Sequence, residues 1–218
     1  MNGIARRIVW VSVFAITFAF VEASVVVYLR ALYYPAGFEF PLRLVTLSHL
    51  QVELARETAT LGMLVSVAAL AGRVRWEQFG YFLVAFGVWD IFYYVWLKVA
   101  LDWPSALTDW DVLFLLPLPW IGPVMAPVLI SLVMIVCGVH LVKRLRAGKH
   151  FAPRLITWSL SIIATAVILY SFIHDVPATM QGADPQPYRY EFLGVGVILY
   201  IASFWTACMR PSQQPRVL

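Results

Sequence analysis

The chain has 218 residues, of which 61% are hydrophobic, 15% aromatic and 13% charged, and its mean hydropathy is +0.79. A soluble domain is nearer half apolar and a quarter charged, so sixteen Lys and Arg with twelve Asp and Glu are too few to coat a water-facing globule. This composition excludes a soluble enzyme, a disordered tail and a nucleic-acid-binding module. It indicates a helical membrane protein in contact with the lipid bilayer.

Six stretches are long and apolar enough to cross a membrane, because about 20 helical residues span a hydrocarbon core of about 30 Å. The runs lack the alternation of a membrane barrel, and their backbone polar groups must be satisfied internally. We therefore expect an all-α, multi-pass bundle that forms a single transmembrane domain over residues 1–218. The spans are predicted at about residues 8–29, 51–71, 80–100, 120–142, 155–174 and 192–209.

The basic residues predict the orientation. If the N-terminus is cytoplasmic, eleven of the sixteen Lys and Arg lie on the cytoplasmic side. The positive-inside rule therefore places both termini in the cytoplasm. Arg6 and Arg7 precede a stretch that loosely resembles a signal peptide, but the apolar run continues to Leu29, which favours a retained span. Because the chain is short with little loop outside the spans, we expect a bacterial inner membrane.

The connection between the third and fourth spans mixes Trp, Pro and Leu, a composition typical of the membrane interface. Pro117, Pro119, Pro123 and Pro127 disfavour a regular entry into the fourth helix. We expect a short interfacial helix, then an irregular or re-entrant segment that caps a cavity. An aromatic belt with a proline-stiffened loop is the alternative.

Three acidic residues, Glu22, Glu57 and Asp90, lie deep within the predicted spans. The uninterrupted apolar part of the second span begins only at Thr58 and would reach about 21 Å, so its helix must extend back through Glu57. Counted from the inner ends of their spans, the three acids lie at depths of about 15 to 21 Å, in the outer half of the bilayer. Since consecutive spans are usually neighbours, we expect one carboxylate cluster.

Further polar residues extend this layer towards the exoplasmic surface. His49, Glu53 and Glu57 are spaced by four and share one helical face, which Arg56 borders. His174 ends the fifth span on the same side. The pattern predicts a polar funnel that opens to the exoplasmic side and narrows towards the deep acids.

Two chemistries suit such a funnel. Imidazoles and carboxylates bind a divalent metal, which is the cofactor that these residues would fit, and the candidate ligands are His49, Glu53, Glu57 and His174.

Carboxylates that cannot all ionise share protons and act as acid/base groups. The candidates for this role are Glu22, Glu57 and Asp90, with Arg56 as a charge partner or as a binding group for an anionic headgroup. The sequence thus predicts a membrane-embedded acidic and histidine-containing site that binds a metal ion or protons and acts on a lipid-phase or membrane-surface substrate.

Two other interpretations stay open. The charges could form a salt-bridge cluster that fixes helix packing in a non-catalytic subunit bound to other membrane subunits. The chain could also be a small ion or solute transporter, although it shows no inverted repeat or pair of interrupted spans. It contains no HExxH, histidine box or GxSxG that would name a reaction.

Overall fold

The computed structural model describes residues 3–34, 47–116, 119–180 and 186–209. Its six long helices are all long and apolar enough to cross a membrane, which confirms the predicted all-α, multi-pass membrane fold. Each overlaps one predicted span. The elements in chain order are α1 (Gly3–Tyr33), α2 (Leu47–Ala71), α3 (Arg75–Leu101), β1 (Trp110–Phe114), β2 (Trp120–Pro123), α4 (Met125–Arg146), α5 (Leu155–Ile173), the short α6 (Val176–Met180) and α7 (Tyr190–Cys208).

Helix α3 is central to the bundle, since it packs against α1, α2 and α4. The core of this four-helix unit includes Ala15 of α1, Leu64 of α2, and Tyr81 and Val84 of α3. Helices α5 and α7 form a pair that contacts the unit through α4 and β2. The bundle therefore consists of a four-helix unit and an attached helix pair.

One end of the bundle carries most of the basic residues, and we call it the basic end. It comprises the starts of α1, α3 and α5 and the ends of α2, α4 and α7. Arg7 Nη1 donates to the carbonyl of Ala71 at 2.7 Å, and Arg146 pairs with the buried Glu77. The opposite end, which carries the β-strands, is called the hairpin end. The side of the membrane that each end faces stays a prediction, and residues 1–2 and 210–218 at the termini lie outside the described ranges.

The connection between α3 and α4 folds as a β-hairpin, so the expected interfacial helix is wrong for the described residues 102–116. The strands are antiparallel, with Asp111 opposite Gly122. Strand β2 packs on α5, where the Trp120 ring stacks on Phe172 with centroids 6.0 Å apart. The hairpin is thus folded against the helices of the bundle.

Helix α4 begins at Met125, about five residues later than the sequence predicts. Residues 120–123 are extended as β2, and Pro123 ends that strand. Proline disfavours the helical conformation in the residue before it and lacks the N–H that a helix interior needs. Pro127 is tolerated because it lies in the first turn of α4, where N–H groups have no helical partner. Pro117 lies outside the described residues.

Helices α3 and α4 approach closely because glycines line their contact. A Cβ atom added at Gly87 would lie 2.5 Å from the carbonyl oxygen of Ser131, and one added at Gly138 would lie 2.5 Å from that of Gly80. Small residues permit such backbone contact between membrane helices. The close approach also brings Ser131 of α4 within hydrogen-bonding distance of Asp90 on α3.

Substitution of Gly87 by Ala should therefore destabilise the bundle. The added methyl group meets backbone atoms of α4, and overpacking of this kind costs about 1 to 3 kcal/mol. Gly62→Ala is the matched control, because Gly62 also lies within a helix but has open space around it, and Ala stabilises a helix interior by about 1 kcal/mol. Thermal unfolding of both variants in detergent, followed by tryptophan fluorescence, measures the difference. Equal melting temperatures for Gly87→Ala and the wild type would contradict the close approach.

Candidate functional site at the hairpin end

Arg56 lies at the contact between α1 and α2. Its Nη1 pairs with Glu22, whose side chain is nearly inaccessible, and its Nε donates to Glu53 Oε2 at 2.9 Å. The hydroxyl of Thr60 donates to the other carboxylate oxygen of Glu22. Both oxygens of Glu22 therefore have donors, and one guanidinium serves two carboxylates.

Glu57 follows Arg56 on α2 but faces the hairpin. Its two carboxylate oxygens accept hydrogen bonds from the backbone N–H of Leu115 at 2.9 and 3.0 Å. Leu115 is the first residue after β1, where the strand pairing has ended. Irregular backbone inside a membrane protein needs such protein partners. Glu57 thus attaches the hairpin to α2.

Arg30 and Asp111 form a second buried ion pair, between the end of α1 and β1. Their exposed fractions are 9% and 3%, and Nη2 of Arg30 lies 3.1 Å from Oδ1 of Asp111. The guanidinium also lies over the ring of Trp103, 3.7 Å from its centroid. Burial raises the pKa of Asp111 to about 6, and the neighbouring Arg30 opposes this shift without cancelling it.

Asp90 is the deep acid of α3. Its Oδ2 accepts a hydrogen bond from the hydroxyl of Ser131 at 2.8 Å. Within the described ranges no Lys or Arg forms an ion pair with Asp90. The hydroxyls of Tyr93 and Tyr94, one turn further along α3, interact electrostatically with the Asp90 carboxyl group. Among the described residues, Asp90 therefore has polar partners but no ion-pair partner.

The hydroxyl of Tyr93 is within electrostatic range of groups from both ion pairs and of Asp90. The charges of Arg30, Arg56, Asp90 and Asp111 all act on its hydroxyl. The groups lie on α1, α2, α3 and the hairpin, so they meet where these four elements converge. We call the set the hairpin-end cluster, and its charged members are Glu22, Arg30, Glu53, Arg56, Glu57, Asp90 and Asp111.

The structure brings the predicted acid/base residues into this cluster but does not let the three deep acids touch. Glu22 lies against Arg56, Glu57 against the hairpin backbone, and Asp90 against Ser131. The expected single carboxylate cluster is not formed, because each of the three acids accepts hydrogen bonds from a different donor.

The four predicted metal ligands do not converge. Over the described ranges, no three His, Cys, Asp or Glu side chains lie close enough together to hold a metal ion. His49 hydrogen bonds with the hydroxyl of Tyr33, whereas Glu53 and Glu57 are engaged by Arg56 and Leu115. The shared face of α2 exists, but its three residues have three different partners.

His174 lies apart from α2, at the C-terminal end of α5. Its ring packs on Tyr170 of the same helix, with centroids 5.5 Å apart. No hydrogen-bond partner for its Nδ1 is present in the described part of the chain. The structure therefore gives His174 a neighbour on its own helix and does not group it with His49.

The sequence analysis does not predict the Arg30–Asp111 pair, because the two residues are 81 positions apart and Asp111 lies in the connection between the third and fourth spans. The signal was available in the stretch Trp110–Phe114, where one acid interrupts an apolar run. A charge in such a run needs a partner, and Arg30 is the basic residue at the same end of the first span. Ser131 gave no signal, since a serine in an apolar helix is unremarkable by itself.

Comparison of the chain with protein-family models, curated proteins and solved structures finds no match. A membrane helix bundle hosts many functions, so function has to be argued from the site.

Asp111→Asn should remove a pH dependence of stability. An aspartate in an unfolded chain has a pKa of about 3.9, whereas the pKa of Asp111 in the folded protein is about 6. The folded state binds this proton more tightly, so the free energy of unfolding falls as the pH rises from about 4 to 6 and this contribution is level above that range. The measurement is the melting temperature in detergent across this range.

The control is Asp102→Asn, because the Asp102 side chain is exposed and pairs with Lys98. This variant should keep the slope that Asp111→Asn loses. Identical pH profiles for Asp111→Asn and the wild type would show that burial does not govern the protonation of Asp111.

Proposed function

We propose that this integral membrane protein binds protons in the hairpin-end cluster and that Asp90 is the principal proton carrier. The supporting observation is the charge balance of the cluster, in which the described residues include five carboxylates but two guanidiniums. Full ionisation would leave three negative charges uncompensated inside the spans. Such charges are costly there, and carboxylates relieve the cost by taking up protons.

The contacts assign the roles within the cluster. Asp111 is opposed by Arg30, and Glu22 and Glu53 by Arg56. Glu57 forms no ion pair within the described ranges, but it accepts a backbone N–H, which stabilises a carboxylate, and the charge of Arg56 acts on it. These assignments leave Asp90 as the acid with the weakest support for a negative charge.

Ser131 suits Asp90 in both protonation states. A serine hydroxyl donates to a carboxylate and accepts from a carboxylic acid by rotating about its C–O bond. The charges of Asp90 and Asp111 both act on the hydroxyls of Tyr93 and Tyr94, so these hydroxyls offer further positions for a proton near Asp90. Rotation of these neighbouring hydroxyls would accompany a change in the protonation of Asp90.

We further propose that the cluster faces the exoplasmic side of a bacterial inner membrane. The eleven basic residues assigned to the cytoplasmic side support this orientation, and the short loops outside the spans support the bacterial inner membrane. A carboxyl group that exchanges protons inside the spans can serve as a general acid or base for a lipid-phase or membrane-surface substrate.

Asp90→Asn should remove a protonated carboxyl group from the protein. Infrared spectroscopy of the detergent-purified protein at neutral pH should show the C=O stretch of a carboxylic acid, and the variant should lose the Asp90 contribution to this band. Asn is isosteric and still accepts the Ser131 hydrogen bond, so the fold should be retained. Asp102→Asn, at the end of the same helix, should keep the band. A wild-type spectrum without the band, or a band unchanged in Asp90→Asn, would contradict the assignment of Asp90 as the proton carrier.

The alternative is that the cluster only holds the helices together, in a non-catalytic subunit of a larger membrane complex. The observation that favours it is that Glu22, Glu53, Glu57 and Asp111 all have charged or backbone partners within the chain. Under this interpretation Asp90 carries no exchangeable proton, and the chain copurifies with other subunits in mild detergent.

The ion pair between Glu22 and Arg56 should contribute to stability under both interpretations. Glu22→Gln should lower the free energy of unfolding by about 1.5 to 3 kcal/mol, since the carboxylate loses its charge-assisted hydrogen bonds with Arg56 and Thr60. A double-mutant cycle with Arg56→Gln, followed by denaturant unfolding in detergent, should give a coupling energy of about 0.5 to 3 kcal/mol. A coupling energy of zero would show that the contact between α1 and α2 does not depend on this pair.

A further inference from the structure

A second candidate site lies near the basic end. A cavity of about 770 Å³ separates the α5–α7 pair from α3 and α4, and its size is within the range of ligand pockets in proteins. Phe79 and Trp158 line it and are 41% and 53% exposed. The cavity is therefore accessible from outside the protein.

The wall of this cavity presents mainly apolar groups to a ligand. Its apolar lining includes Phe79, Leu83, Val133, Met134, Val197 and Phe204. Each lining hydroxyl has a partner across the α5–α7 contact: Ser161 pairs with Ser203 at 2.7 Å, Tyr200 with Thr165 at 2.5 Å, and Thr157 with Thr206 at 2.8 Å. Since these hydroxyls are already satisfied, the wall favours a hydrocarbon chain over a polar ligand.

One charged residue, Arg75, lines the cavity. It is exposed at the start of α3, and no carboxylate in the described ranges pairs with it. Glu77, the acid nearest in sequence, is already held by Arg146 and by the backbone N–H of Arg73. Arg75 is therefore free to bind an anion at the edge of the cavity.

We propose that this cavity binds one anionic phospholipid, with an acyl chain between the helices and the phosphate group on Arg75. The occupant has to be apolar over most of its length and negative at one end, as such a lipid is. Basic pockets between membrane helices bind anionic headgroups in this way. Arg75 and Asp90 are fifteen residues apart on α3, about 22 Å, so this lipid site is separate from the hairpin-end cluster and does not depend on the proton-binding proposal.

The headgroup contact is tested by native mass spectrometry of the full-length protein titrated with phosphatidylglycerol or phosphatidylcholine of identical chains. Phosphatidylglycerol should bind about fivefold more tightly, the contribution expected of one cation at a membrane surface. Arg75→Gln should abolish this preference. Arg73→Gln, a change of the same kind two residues away outside the cavity, should keep it. Equal binding of the two lipids by the wild type, or a preference unchanged in Arg75→Gln, would overturn the proposal.

The acyl-chain contact is tested by a matched pair of substitutions on α4. Val133→Trp fills the cavity and should release the bound lipid, whereas Val136→Trp should not, because Val136 is 68% exposed outside the cavity. Equal lipid retention by both variants would overturn the proposal.

Glycerol phosphate, the headgroup without its chains, distinguishes a lipid from a free phosphate. It should not displace phosphatidylglycerol, and full displacement would overturn the proposal. Because Arg75 is exposed, Arg75→Gln should fold normally, and its lipid preference decides the question even if Val133→Trp does not fold.

Discussion

The cost of placing charge inside a membrane governs the hairpin end of this protein. Two arginines, Arg30 and Arg56, lie among five carboxylates, and each arginine is shared by more than one neighbour. A charge in the hydrocarbon region is tolerated where partners in the protein replace water. The acids are therefore found where α1, α2, α3 and the hairpin converge, and their pairing holds these elements in one arrangement.

The hairpin follows from the same constraint. Its backbone lies against helices, and groups beyond its own ladder need partners in the protein. Glu57 supplies one for Leu115, and the backbone carbonyls of Leu107 and Asp109 accept from Met125 and Val124 at the start of α4. The hairpin is thus fixed both to α2 and to the helix that follows it.

The spans were predictable because hydropathy and length alone decide whether a helix can cross a membrane. The extension of α2 back through Glu57 was also predictable, since the apolar part of that helix is too short. The partner of each charged side chain could not be predicted in this way. Helical spacing places His49, Glu53 and Glu57 on one face, but whether they share a ligand depends on what the neighbouring elements offer.

Those neighbours depend on contacts that are distant in sequence. The Arg30–Asp111 pair joins residues 81 positions apart, and the bond between Asp90 and Ser131 requires the glycine contact between α3 and α4. The hairpin was missed for a similar reason. Its sequence is rich in tryptophan, proline and leucine and resembles an interfacial loop, and its strands form because α5 offers Phe172 as a packing surface.

The hydroxyl pairs between α5 and α7 have a consequence for the order in which the protein assembles. These hydrogen bonds lie within the pair, so the two helices can associate completely before they meet the rest of the chain. Helices α1 to α4 are likewise joined by their own contacts and precede α5 in synthesis. Biogenesis can therefore proceed through two helical units that each form before they meet, and the cavity beside Arg75, which both units line, is completed when they meet.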